Sequence, residues 1–511
     1  MHPFFVQHHY PLSLNPMKNC FFTLAFILIS ITGFSQKVYE FSPVCQQAYN
    51  EIMKLRLEPG KALVEKARQQ NPNNLIPELL DGYIDFFELF FNEDPQHYEA
   101  RKDAFVKRIE AFEEGSENSA FYKYCLGVAY MQRAAVRIKF GERYSAGWDF
   151  KKANSYIKEN RIMHPSFLPN NMIYGPLTVI VGTVPGGYKW ITSLFGMKGS
   201  VATGMQLMRN FLNSSDPYAK LFSNEATFYY CYLMYYIENK PDEVFKYMQA
   251  RKLDVVNNHL FTYMTSNLAI NNKQTNYAEA IIKKRNTAAG YLQTPVWDLE
   301  MGYIKLHQLQ LDEAIIHLEK FANTFKGKFY LKDALQKISW AYYLKGNMQE
   351  AEKYRQLCIK KGNVDSDADK NAYRDAKSGI WPNPTLLKAR ILNDGGYNNE
   401  ALALFALKDE THFTKAEEAL EFAYRMARIY DDIEKDKEAI IYYQKAIALG
   451  KNRTEYYAAR AALQLGYIYE KRGQKSQAIA SFEQCLAMED HDYKDSLDQR
   501  AKAGIARVKG E

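Results

Sequence analysis

Cysteine is sparse in this sequence: 6 in 511 residues, with no CxxC pair anywhere. That spacing excludes zinc ribbons and disulfide-stapled small domains. Five of the six, Cys45, Cys125, Cys231, Cys358 and Cys485, follow the first 36 residues. They are odd in number, far apart and set among apolar neighbours such as Tyr124 and Leu126. The expectation is buried, inert thiols. Histidine is equally uninformative: none of the 10 forms HExxH, and His307 and His317 stand ten residues apart in two helices of one unit. No GxSxG elbow and no GxGxxG after a strand occurs. Gly182-x4-Gly187 superficially suggests a phosphate loop, but Tyr188 intervenes before Lys189 and no Ser or Thr follows directly to hold magnesium. Acidic pairs such as Glu113-Glu114 and Asp431-Asp432 lie on charged helix faces, where solvation is the default expectation. No metal, no cofactor and no catalytic residue is expected; a glycan-active carboxylate pair assembled across the fold is the enzymatic alternative. Charge of one sign is lacking too. The 66 basic and 59 acidic residues leave a net charge of +7, closely interleaved, where a nucleic-acid partner would call for a basic stripe. Glycine (27) and proline (17) are modest overall.

Long apolar runs are missing with one exception. Cys20 to Phe34 is almost wholly apolar and uncharged, preceded by Met17-Lys18, and Gly33 and Ser35 at its end make a small-x-small pattern. The run of about 15 residues is short for a membrane span and suits a secretory signal over residues 1–35, with Met17 as the natural start. Lys18-Asn19 before Cys20 do not make a lipobox. The expected location is therefore exported, periplasmic or at the outer membrane of a Gram-negative bacterium.

What is abundant is aromatic: 38 Tyr and 30 Phe. Beside them runs a repeat. Leu465, Gly466 and Tyr469 on one helix, Gly473 in a turn, then Ala478, Phe482 and Cys485 on a second make the clearest unit. Met426, Ala427, Tyr430, Ala439, Tyr443 and Ala446 precede it at the same spacing. Weaker units hold Ala389, Leu392, Gly396, Ala401 and Phe405; Ile338, Ser339, Tyr342, Gly346 and Ala351; and Met301, Gly302, Ala314 and Leu318. This resembles the tetratricopeptide repeat, in which small residues let two antiparallel helices approach while aromatics fill the space beside them. The anchor alanines 314, 351, 401, 439 and 478 are 37, 50, 38 and 39 residues apart. Further helices are expected near 221–238, 241–251, 257–270 and 275–285, with Gly60, Val64, Ala67 and Pro72 on an early second helix and Leu126, Gly127 and Tyr130 on a first. The fold class is thus all-α, an α-α superhelix whose units bury their apolar faces on one another.

The organisation read from this is a signal (1–35), divergent helices (36–164), an insertion (165–213), repeats (214–362), a joint rich in Asp, Asn, Gly and Pro (363–384), and C-terminal repeats with a capping helix (385–511). The insertion crowds Pro165, Pro169, Gly175, Pro176, Gly182, Pro185, Gly186, Gly187, Gly196, Gly199 and Gly204 between apolar runs. It is either core or an exposed hairpin touching a membrane surface or partner through Tyr188, Lys189 and Trp190. Tyr174-Gly175, Gly182-x2-Pro185, Leu194 to Ser200 and Gly204 look like the central signature of the inclusion-body-clearance family of tetratricopeptide proteins. That resemblance implies an adaptor. The export signal departs from the family, and the ending Asp492 to Gly504 looks like that of exported bacterial tetratricopeptide proteins. Carried over by repeat position, the first-helix residues facing the groove are Tyr303, Trp340, Arg390, Tyr424, Arg428, Arg460 and Tyr467, with Trp340 and Tyr303 equally suited to packing between repeats. The implied partner is a protein or peptide lying along that groove; no nucleic acid is expected, and a peripheral membrane contact through 171–200 is the alternative.

Overall fold

In the computed structural model, which describes residues 37–183 and 199–510, the chain is all-α. The only extended pairings among these residues are two isolated bridges, Lys37 with Gly115 and Val38 with Asn74. Helices pair as antiparallel hairpins that stack in chain order. The first helices expected near 221–238 and 257–270 are Ser223–Tyr236 and His259–Asn271, and their partners are Pro241–Ala250 and Thr275–Lys284. Val296–His307 with Leu311–Thr324 and Leu331–Leu344 with Met348–Lys360 continue the stack. Ala416–Asp432 with Asp436–Gly450 and Tyr457–Lys471 with Lys475–Leu486 end it, under the capping helix Lys494–Lys509.

One backbone feature marks these hairpins and the shorter one of Pro384–Asp394 with Asn398–Ala403. The residue that turns the chain after the first helix has a positive φ: Asn239, Lys273, Leu309, Gly346, Gly396, Glu434 and Gly473. This left-handed residue ends a helix by offering its N–H back to the last turn, and glycine adopts it at least cost. At Gly396 (φ +86°) a side chain is also barred by space, because a Cβ would run into the carbonyl of Lys273. The turns lie 34, 36, 37, 50, 38 and 39 residues apart.

The gap of 50 holds an extra element. The segment 363–384, expected as a joint, carries the helix Asp367–Ser378, whose Ala372 and Ala376 are buried against Leu331, Leu335 and Ile338. Its start is a capping arrangement: Ser366 Oγ accepts from the Asp369 N–H at 3.0 Å. The fully buried Asp369 then accepts from the backbone N–H of Tyr330 (2.7 Å) and Asp333 (3.1 Å), capping the start of the earlier helix Leu331–Leu344 as well. Apolar packing crosses this segment, since Trp340 and Ala341 share a core with Leu387 and Ile391.

One face of the described part of the insertion is core, while Ile180 on the other is 44% exposed. Helices Pro169–Thr183 and Val201–Leu212 form a hairpin whose Met172, Ile173, Leu177, Val179, Met205, Met208 and Phe211 join the large N-terminal core. Two of its glycines are explained by contact: a Cβ on Gly204 or Gly199 would strike the backbone of the facing helix. No helix among the described residues is long and apolar enough to cross a membrane. The five cysteines are free and buried, and burial pushes the thiols of Cys231, Cys358 and Cys485 up to about 12.

Candidate functional site: an aromatic chamber on the concave face

Successive first helices turn one stripe each toward a common interior. In Ser223–Tyr236 the stripe is Glu225, Tyr229, Tyr232 and Tyr236; in His259–Asn271 it is Leu260, Tyr263, Asn267 and Ile270; in Val296–His307 it is Val296, Glu300, Tyr303 and His307. Steps of three and four keep these residues on one side of each helix. Leu331–Leu344 adds Asp333 and Lys337, and the helix Ile76–Asn92 adds Tyr83, Phe87 and Phe91 from the far end of the chain. Together they enclose a chamber of roughly 890 Å³, within the range of small-molecule sites.

A buried carboxylate stands at the rim. Glu93 is the left-handed residue after Ile76–Asn92, and its Oε2 accepts from the backbone N–H of Lys328 (3.1 Å) and Phe329 (3.2 Å). Its Oε1 accepts from the Lys139 ammonium at 2.7 Å, which lies between the rings of Phe90 and Phe329 at 4.6 and 4.5 Å. Arg143 pairs with Asp365 beyond it. Residues 235 apart in sequence are thereby held together at the rim of the chamber.

Of the carboxyl groups that line it, Glu225 and Glu300 have no cation within ion-pair distance among the described residues. Glu225, 3% exposed, accepts from three tyrosines: Tyr49 (2.6 Å), Tyr83 (2.9 and 3.0 Å) and Tyr229 (2.8 Å). Burial raises its pKa and these hydroxyls oppose the rise. Glu300, also 3% exposed, receives one hydrogen bond, from Asn267 to Oε1 at 2.9 Å, and its Oε2 has no partner. Burial raises its pKa to about 7. The lower end of the chamber is charged in both signs. Tyr303 donates to Asp333 at 2.7 Å, Lys337 pairs with Asp333 at 2.9 Å, and Lys273 pairs with Asp432. Burial pulls His307 down to about 4, so its ring is neutral there.

The groove residues expected from repeat position fall along this interior and beyond it. Tyr303 lines the chamber. Arg390 lines an adjoining pocket of roughly 400 Å³ with Arg374, Tyr456, Tyr457 and Tyr493. Trp340 is buried beneath, with the Arg390 guanidinium 5.1 Å and the Lys337 ammonium 4.3 Å from its ring. Tyr424 is buried against Tyr456 and Tyr457. Arg428 is half-buried between Asp431 (3.7 Å) and Asp432 (3.5 Å). Arg460 and Tyr467 stand farther on, where Tyr467 packs on Phe482 and the Arg460 Nε is buried without a partner. Tyr188, Lys189 and Trp190 lie outside the described residues. Sequence reasoning missed Glu225, Glu300, Tyr229, Tyr232, Tyr236 and Tyr263. The signal was the aromatic stripe at 229, 232 and 236, about two turns of tyrosine where a core would have used leucine. Among the described residues no group of three or more His, Cys, Asp or Glu could hold a metal ion.

The family model described as tetratricopeptide repeat matches residues 420–449 and 459–492, the last two hairpins of the stack. Among solved structures the chain is similar to the P58(IPK) TPR domain, at 14% identity over 83% of this chain and 96% of that one, with a TM-score of 0.22. No curated protein matches it.

Proposed function

Because the chain carries tetratricopeptide repeats, we propose that it is an interaction scaffold that seats a segment of another protein along its concave face, beside Tyr303, Arg390 and Arg428. The observation that carries this reading is the state of Arg390. Its guanidinium sits over Trp340 and lines an open pocket, and its nearest carboxylate, Asp394, is at 3.7 Å, too long for a good hydrogen bond. The fork of donors is therefore oriented and largely unspent, which suits a carboxylate from a partner. Tyr456 and Tyr457 beside it supply rigid area of low entropic cost. Arg460 and Tyr467 extend the same surface toward the capping helix. Export through the signal expected over residues 1–35, and hence a partner in the cell envelope, belongs to the proposal on sequence grounds alone. So does the adaptor role implied by the inclusion-body-clearance resemblance.

The test replaces Arg390 and Arg428 together by glutamine and measures recovery of native partners on the tagged protein. Loss of recovery with an unchanged far-UV helical signal is expected. Unchanged recovery removes this groove from the account.

A further inference from the structure

The aromatic chamber has an electrostatic imbalance that the groove reading leaves unused. Of the cations that line it, Lys139 is engaged by Glu93, Lys337 by Asp333 and Lys273 by Asp432. Glu225 and Glu300 have no cation within ion-pair distance among the described residues. Glu225 is fully served by three tyrosine hydroxyls. Glu300 is not: its Oε2 is buried, on the chamber wall, and accepts nothing. A buried carboxyl oxygen without a partner costs free energy that a bound group would restore. Around it stand rings. Tyr232, Tyr236, Tyr263 and Tyr330 line the same chamber as Glu300. Tyr232 and Tyr236 are stacked at 6.1 Å, and Phe91 meets Tyr263 edge-on at 5.1 Å. The chamber is reachable, because Tyr236 is 52% and Tyr330 43% exposed. An anion would face two carboxyl groups with no free cation, and a purely apolar ligand would leave Glu300 unpaired. A soft cation satisfies both walls at once: ring faces attract it and the carboxylate neutralises it.

We propose that the chamber binds an organic cation, an amino or quaternary ammonium group on an apolar body, with Glu300 as counter-ion and Tyr232, Tyr236, Tyr263 and Tyr330 as walls. The proposal does not rest on the scaffold reading. The same chemistry can arrive as a free small molecule or as the lysine side chain of a protein segment.

The experiment is calorimetric titration of the purified chain with choline, with its neutral isostere 3,3-dimethylbutan-1-ol, and with a blocked lysine tripeptide. Saturable binding of at least one cation is expected, at least about ten-fold tighter than the isostere. Choline binding more tightly assigns a diffusible ligand; the tripeptide binding more tightly assigns a partner's side chain. Glu300→Gln keeps the Asn267 hydrogen bond and should weaken the cation at least about ten-fold while leaving the isostere unchanged. Tyr236→Leu, at an accessible wall position with little bearing on folding, should weaken it several-fold. Arg390→Gln with Arg428→Gln should leave this binding intact, which separates it from the groove. Equal affinity for choline and its isostere, no saturable cation binding, or full affinity in Glu300→Gln would overturn the proposal.

Discussion

Between Ser223 and Leu344 the first helices turn tyrosines and carboxyl groups inward, whereas between Ala416 and Lys471 the same positions carry arginines such as Arg425 and Arg428. The hairpin geometry is shared. Gly302 receives Leu318 in the first region as Gly466 receives Phe482 in the second, each where a Cβ would collide with the facing side chain. Packing positions between the two helices of a unit are thus tied to size, while the concave positions are free to change chemistry. One stack holds an aromatic chamber with buried carboxyl groups and, beside it, a groove set with arginines. The residues that match the family model lie in the second region, where the small residues keep the regular spacing.

The largest effect is expected where the chamber wall is pinned. Glu225→Leu leaves the hydroxyls of Tyr49, Tyr83 and Tyr229 buried without an acceptor. Each such loss costs about 1–3 kcal/mol, so urea unfolding should show a loss of about 3–5 kcal/mol, confined to a transition reporting the N-terminal core. A smaller effect follows in the other region. Gly466→Ala forces Phe482 aside and should cost about 1–3 kcal/mol in the C-terminal hairpins alone. If both substitutions destabilise the same single transition, the two regions unfold as one and the contrast between them is compositional only.

The smallest effect is a pH dependence. The Glu300 carboxyl is raised by burial to about 7 from an ordinary 4.5, so the folded chain holds a proton that the unfolded chain has released between those values. Its contribution is full below about 4.5 and is lost as pH rises through 7. Glu300→Gln should therefore gain stability relative to the parent from pH 5 to pH 8, by on the order of 2 kcal/mol, read from paired denaturant melts. His307, pulled down to about 4 by burial, acts oppositely: its contribution is present above about 6.5 and lost as pH falls through 4. A Glu300→Gln difference that stays flat with pH would mean the carboxyl is ionised and solvated, and not part of a desolvated wall.

The repeats were legible because their signal is local. Small and aromatic residues recur at fixed offsets, and the expected helices near 241–251 and 275–285 appear as Pro241–Ala250 and Thr275–Lys284. The helix Asp367–Ser378 was hidden by its composition, although Ser366 and Asp369 carry the spacing of a helix start. The chamber was not legible as a site. Its rim depends on Glu93 meeting Lys328 and Phe329 across 235 residues, and no local pattern marks an acidic residue as the one that joins such distant segments. Tyr229, Tyr232 and Tyr236 were visible as an aromatic stripe, but a stripe alone does not distinguish a wall from a core. Trp340 and Tyr424 show the converse: a first-helix aromatic can serve to hold an arginine in place from below.

The central claim is that the concave face is the binding face, and photo-crosslinking in the native host tests it most directly. A benzophenone side chain placed at Tyr303 or at Arg390 should capture the same protein, while one at Ile316, exposed on the second helix of its repeat, should capture none. Equal capture from Ile316, with none from Tyr303 and Arg390, would contradict the account.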